Sequence, residues 1–291
     1  MVFFLSLLFL LISTGKLSMQ DYVNSSKLTD VTWAHAVNNK DYLVNVLNGN
    51  TNFIEADILI GHLENGNPQE KIPIMAHPPA TQSNLSLKEF LDKCLQFNQQ
   101  AKKAYVKGIK LDFKSIEALE SSIDLIKTLY DTVEYPTWIN ADILAGPVNN
   151  TSTIPVDHDR FFKCAKQLGP VVLSIGWTTK WDQHSTEGFY SETNIQCMIN
   201  TIKSNKIDML GAPITFPIRA GIAANSLAQL KKLYEALKTT NDVTFTIWSS
   251  ADDAVDVEKL RNFMYEIGTD HIYVDVPDEL KARLYIITTE V

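Results

Sequence analysis

Eight short β-branched or aromatic runs, each separated from the next by a stretch of helical character, constrain this chain more than any other feature. They lie at 31–35, 53–59, 108–113, 137–141, 171–176, 209–216, 243–248 and 271–276, and turn residues bound each one. Helical spacing recurs between them. Leu87, Phe90, Leu91 and Leu95 share one face behind a capping box of Ser86 and Glu89. Ile116, Leu119, Ile123, Ile126 and Leu129 form a second apolar stripe. Leu227, Leu230, Leu233 and Leu237 form a third, opened by Ser226 and Gln229, while Phe162, Ala165 and Leu168 end a shorter helix before Gly169-Pro170. Eight such alternations predict a single α/β domain of the TIM-type (β/α)8 barrel class, whose usual size is about 250 residues. A further run at 72–76 predicts an extra strand in an excursion after the second one. A doubly wound sheet is the alternative, but no Gly-rich phosphate loop follows any strand. With no internal repeat or low-complexity linker, one domain is expected over 19–291.

Residues 1–18 read differently. An apolar run at 2–12 is followed by Ser13-Thr14-Gly15, the pattern of a cleaved secretory signal, although no Lys or Arg precedes it. The run is too short to cross a bilayer as a helix. A secreted protein is therefore expected, in which the sequons at Asn24, Asn84, Asn149 and Asn150 become candidate glycosylation sites. Cys94, Cys164 and Cys197 are few, odd in number and widely spaced, so they read as buried hydrophobes rather than a disulfide framework or zinc site. The 26 Lys+Arg against 34 Asp+Glu leave a net charge of −8. That balance counts against a nucleic-acid partner, which would demand a basic face.

Barrels of this class gather their chemistry at the C-terminal ends of the strands. In 53–59, Glu55 and Asp57 are two apart, so both carboxylates share a face while Ile54, Ala56 and Ile58 take the other. The apolar set must pack under helices, which turns the carboxylates into the barrel. Two unpaired carboxylates there would repel and be desolvated, and a bound cation relieves both costs. The same period in 108–114 puts Lys110, Asp112 and Lys114 on one face. Asp112 can complete a three-carboxylate site for one divalent ion, Mg2+ or Ca2+, and Lys114 would face the same cavity. A buried ion-pair ladder without metal is the competing reading of that segment. His35 ends the first run and His77 the extra one, flanking the carboxylate pair as candidate acid and base. His62, His158, His184 and His271 are read as structural or exposed.

The order His35, Glu55-X-Asp57, His77, Asp112-X-Lys114 resembles the active-site skeleton of glycerophosphodiester phosphodiesterases and spider-venom sphingomyelinase D. The strings Thr32-Trp33-Ala34-His35-Ala36-Val37, Pro73-Ile74-Met75-Ala76-His77-Pro78-Pro79, the segment 108–114 and Pro213-Ile214-Thr215-Phe216-Pro217-Ile218-Arg219-Ala220 more closely resemble the menorin family, from about Val31 to the C-terminus. The resemblance implies a phosphodiesterase-type barrel with a divalent metal on Glu55, Asp57 and Asp112. It implies His35 and His77 as the acid–base pair and Lys114 as a stabiliser of phosphoryl charge. Lys110, Asn140, Asp142, Trp177, Arg219 and Trp248, at or near strand ends, then become candidate substrate contacts, with Arg219 as a second phosphate ligand and Trp248 as a wall or a cover for a cation. One departure matters. The phosphodiesterases carry His-Arg-Gly at the first site, whereas Ala36 and Val37 follow His35 here. The expected activity is cleavage or transfer of a phosphodiester, a glycerophosphodiester or a lysophospholipid-like headgroup. The competing expectation is a non-catalytic extracellular module of adhesion or signalling that engages a protein partner, since a fold does not fix function. An intracellular metabolic barrel is the third.

Overall fold

A computed structural model describes residues 27–102, 105–130, 135–148, 152–169 and 171–285. The expected leader at 1–18 and the sequons at Asn24, Asn149 and Asn150 lie outside the described residues. Eight strands run parallel in the order β1 (Trp33–Ala34), β2 (Phe53–Leu63), β5 (Gly108–Phe113), β6 (Thr137–Ala145), β7 (Val172–Thr178), β8 (Ile214–Arg219), β9 (Val243–Trp248) and β10 (Ile272–Asp275). The excursion after β2 carries β3 (Ile72–Met75), antiparallel to β2, and β4 (Gln82–Ser83), parallel to its end. Helices cover the outside: α1 (Lys40–Asn48), α2 (Leu87–Gln100), α3 (Ile116–Glu120), α4 (Ile123–Tyr130), α5 (His158–Ala165), α6 (Glu192–Ser204), α7 (Ala220–Ala223), α8 (Leu227–Leu237), α9 (Val257–Ile267) and α10 (Asp278–Tyr285). The result is a nearly closed TIM-type barrel. At the seam β1 and β10 meet through side chains, with the Trp33 and Tyr273 rings 6.1 Å apart and His35 Nδ1 3.2 Å from Asp275 Oδ2.

The barrel interior is layered as period two dictates. At the floor, Phe53, Trp138 and Tyr273 interlock with Trp33 at centroid distances of 4.6 to 6.1 Å. Gly108 supplies the space, because a Cβ there would come within 2.5 Å of the Phe53 ring. One layer up, the interior turns polar: Asn140, Ser174, Thr215 and Thr246 are buried, with Thr215 and Thr246 hydroxyls 2.8 Å apart. The alternate residues Ile54, Ala56, Ile58, Ile109 and Leu111 are fully buried outside the sheet, under the helices.

Several elements differ from the sequence expectation. The run at 209–216 contributes a strand only from Ile214, because Gly211 takes φ +62° and Met209 and Leu210 sit exposed in the preceding turn. The stripe from Ile116 to Leu129 is two helices, broken where Ser122 Oγ donates to Ala118 O at 2.6 Å. Ser226 does not cap α8; its hydroxyl donates to Ile222 O and accepts from Tyr190 N. Ser86 does accept from Glu89 N, but the Glu89 carboxylate turns to Lys40 and Lys93 instead of closing the box. Cys94 and Cys164 are buried as expected, whereas Cys197 is exposed on α6. The Asn84 sequon is described and half-buried, with Oδ1 accepting from Lys40 N.

Candidate metal centre and catalytic cavity

The strand ends open onto a cavity of about 540 Å3. In-register pairing of β2 with β5 sets Glu55 beside Lys110 and Asp57 beside Asp112. Glu55, Asp57 and Asp112 each turn an oxygen toward a common point, these atoms lying within 4.8 Å of one another.

Each carboxylate is held by neighbours. Asp57 accepts from Asn38 Nδ2 at 2.7 Å while its own N–H donates to Asn38 Oδ1 at 2.9 Å. Glu55 Oε2 accepts from the N–H of Ala36 at 2.6 Å, an arrangement that requires Ala36 at φ +54°. That left-handed conformation is unfavourable for a residue with a Cβ. Asp112 Oδ1 accepts from Asn140 Nδ2 at 2.7 Å, and Asn140 Oδ1 accepts in turn from Ser174 Oγ at 2.5 Å. Burial, together with the charges of Asp57 and Asp112, pushes the Glu55 carboxyl up against the opposing pull of His35 and Lys110. Burial also works against charge on Asp112, but Lys114, Lys110 and the bonds from Lys114 and Asn140 outweigh it and hold this carboxyl below its usual range.

Lys114 faces the cavity as expected, and its ammonium bridges Asp57 Oδ1 at 2.7 Å and Asp112 Oδ2 at 2.6 Å. Burial lowers its proton affinity, and the charges of Asp112, Asp57 and Glu55 more than restore it. Half of the ion-pair ladder considered for this strand is thus present. Lys110, only 4% exposed, lines the cavity, and its ammonium forms no hydrogen bond or ion pair among the described residues.

The two histidines reach the same cavity. His35 Nδ1 donates to Asp275 Oδ2 at 3.2 Å and lies 3.4 Å from Glu55 Oε2, which leaves Nε2 for a ligand. Burial pulls its pKa down, but Glu55 and Asp275 override this and push it up to about 9. His77 is carried in by β3, whose end is tied to the site where Ala76 N–H donates to Asp57 O at 2.9 Å. His77 Nδ1 donates to Pro78 O at 2.7 Å, and its Nε2 has no hydrogen bond among the described residues.

The far side of the cavity is formed by Asn140, Asp142, Arg219 and Trp248. Asp142 is pushed up to about 7 by burial and then by Asp112, against Lys114 and Lys110. Gly176 makes room for it: a Cβ there would lie 2.9 Å from Asp142 Oδ1. Arg219 is engaged by Asp253 through two bonds of 2.8 Å, donates to Ser250 Oγ, and covers one face of Trp248 at 4.8 Å. Arg219 thus lines the cavity, where it was expected, as half of an ion pair. Trp177 does not reach the cavity. With Ser174 turned inward, Trp177 falls on the outer face of β7 and packs against Tyr190 and Phe216.

Asn38, Asp275, Asp253 and Ser174 were missed by the sequence reading. Asp275 was accessible to it, since Tyr273 and Asp275 obey the same spacing rule as Glu55 and Asp57. Asn38 and Asp253 lie in loops, where no period marks them.

The residues suit a divalent ion. The donors are three hard oxygen ligands. Among the described residues lining the cavity, the carboxylates of Glu55, Asp57, Asp112 and Asp142 face the cations of Lys110, Lys114 and His35, Arg219 being paired with Asp253.

Comparison with known proteins places this geometry in context. Residues 27–281 match the family model described as the Menorin N-terminal domain. Protein FAM151B of Homo sapiens is 33% identical over 264 residues, covering 89% of this chain and 88% of that protein. Among solved structures, a psychrophilic glycoside hydrolase family 10 endo-β-1,4-xylanase aligns at 12% identity with a TM-score of 0.46, over 88% of this chain and 86% of that one. A fungal β-1,4-galactanase aligns at 13% identity with a TM-score of 0.43, over 85% and 84%. Likenesses this distant carry no argument about chemistry.

Proposed function

The chain belongs to the menorin family, and from that premise we propose that it is a metal-dependent phosphoric diester hydrolase or transferase. One observation supports this reading above the rest: three carboxylates able to share an ion line one cavity with two histidines whose Nε2 atoms have no hydrogen bond among the described residues. A bound Mg2+ or Ca2+ on Glu55, Asp57 and Asp112 would supply charge to a phosphoryl oxygen. The chain's own groups do the rest. One histidine takes the proton of the attacking hydroxyl, from water or from the substrate itself, as the new P–O bond forms. The other donates a proton to the departing alkoxide as the old P–O bond breaks. Asp275 behind His35 fixes the ring and favours its cationic form, which suits His35 to proton donation and leaves His77 as the base. The amide of Asn140 and the carboxyl of Asp142 line the side where the alcohol half of the diester would lie.

The test is turnover of a phosphodiester panel spanning glycerophosphodiesters and lysophospholipids, with and without Mg2+ or Ca2+. Metal-dependent release of one panel member is expected, falling by about 100-fold or more in His35→Ala and His77→Ala, as loss of an acid or base dictates. Turnover that is unchanged in both variants would overturn the histidine roles. A metal-loaded protein inert toward the whole panel would favour the binding-module reading.

A further inference from the structure

Lys114 has two duties that one position of its ammonium cannot meet. Its Nζ lies within 2.7 Å of oxygens on Asp57 and Asp112, two of the three carboxylates suited to a divalent ion. Two cations on the same oxygens would repel at close range in a poorly solvated site. Lys110 shows the converse. It lines the cavity, and its ammonium has no hydrogen bond or ion pair among the described residues, although the fields of Glu55 and Asp112 reach it. An ammonium that opens into a cavity with no protein acceptor has its three donors available to a ligand.

We propose that the cavity floor binds a tetrahedral oxyanion on Lys110, and that a divalent cation taking the Asp57 and Asp112 oxygens displaces the Lys114 ammonium to become the anion's second ligand. This rests on the metal reading above and deepens it. Lys114 lies just beyond the end of β5, its side chain 22% exposed to the cavity, on a flexible four-carbon stem with three rotatable donors. An ammonium can therefore leave one pair of oxygens for another without moving the strand. The exchange makes cation and anion binding cooperative, and thermodynamic linkage makes the cooperativity reciprocal. The chemistry recognised is a phosphoryl group with at least two unesterified oxygens, one for each lysine. In the metal-loaded protein that is the phosphoryl group of a diester or of its monoester product.

The experiment is calorimetric titration of Mg2+ into the full chain, Lys114→Met and Lys110→Met, followed by inorganic phosphate with and without Mg2+. Loss of either lysine removes one positive charge near the cluster, so both variants gain some Mg2+ affinity electrostatically, Lys114→Met the more because its ammonium stands on the ligand oxygens, and the phosphate arm separates displacement from that field effect. Displacement predicts tightening by about tenfold or more in Lys114→Met and much less in Lys110→Met. It also predicts that Mg2+ strengthens phosphate binding far more in the wild type than in Lys114→Met, and that Lys110→Met loses phosphate binding in either condition. Equal tightening of Mg2+, or equal enhancement of phosphate binding in wild type and Lys114→Met, overturns the inference while leaving the metal site intact. Absence of a Mg2+ site that Asp57→Asn abolishes overturns the metal site and the inference together. Should Lys114→Met not fold, Lys114→Gln, which keeps a donor toward the carboxylates, serves the same comparison.

Discussion

The amide of Asn38 grips Asp57 at two points, its Nδ2 on the carboxylate and its Oδ1 on the backbone N–H, and so aims the other carboxylate oxygen at the cluster. Its own carbonyl is held by Ser83 Oγ from the excursion after β2. Asn38→Ala leaves a buried N–H without its acceptor and lets the carboxylate rotate. A loss of about 1–3 kcal/mol in denaturant unfolding is expected, with metal affinity reduced by about 10- to 100-fold in calorimetry. Asp142 gives a second test, by pH. Its carboxyl is raised to about 7 in the folded protein, well above its value in an unfolded chain. The stability tied to its protonated form is fully present below the unfolded value and is lost as pH rises through 7. Asp142→Asn removes that loss. In chelator, urea unfolding should show the variant gaining on the wild type between pH 5 and pH 8 by about 1–2 kcal/mol, less than full linkage because the carboxyl opens to the cavity. A gap that does not change with pH would mean that Asp142 titrates in the ordinary carboxylate range.

At the scale of elements, strands with one polar face were the legible part. Period two in 53–59 and 108–113 turns Glu55, Asp57, Lys110 and Asp112 inward because the alternate residues are apolar and must lie under helices. The same rule, applied from Ser174, turns Trp177 outward, and its place near a strand end rather than its parity suggested the cavity. Runs that are apolar throughout carry less information. The sequence at 209–216 looks continuous, yet Gly211 and the turn before it expose Met209 and Leu210 and delay the strand to Ile214. The stripe from Ile116 keeps its helical face across the break at Ser122, since packing preserves the period while a side-chain hydroxyl takes a backbone acceptor. Side-chain pairings across the barrel were beyond reach. That Lys114 would bond to Asp57 and Asp112 while Lys110 would not depends on strand stagger and rotamer, neither of which a single strand's spacing records.

At the scale of the whole molecule, the seam between β1 and β10, which share no ladder among the described residues, coincides with the chemistry. β1 holds two residues in register with β2, Trp33 with Phe53 and Ala34 with Ile54, as β7 and β8 do, whereas β9 and β10 share four residues of ladder. Across the seam the mouth is joined by His35 to Asp275 and the floor by Trp33 to Tyr273. The floor contact sits in a dense aromatic cluster and is expected to persist. The mouth contact is more exposed, with the His35 side chain 56% accessible, so its contribution is about 1 kcal/mol despite the carboxylate. Local opening should therefore begin at the mouth and take Ala36 with it, withdrawing the N–H that orients Glu55. Asp275→Ala tests this through amide exchange. Residues 31–38 should exchange about fivefold faster than in the wild type, since 1.4 kcal/mol corresponds to one decade, while amides of β5 to β9 keep their protection. Metal affinity should fall in parallel, because the loosened segment carries the ligands' supports rather than the ligands themselves. If protection falls uniformly around the barrel instead, the seam is not a separate opening unit, and the stability of the site is that of the whole fold.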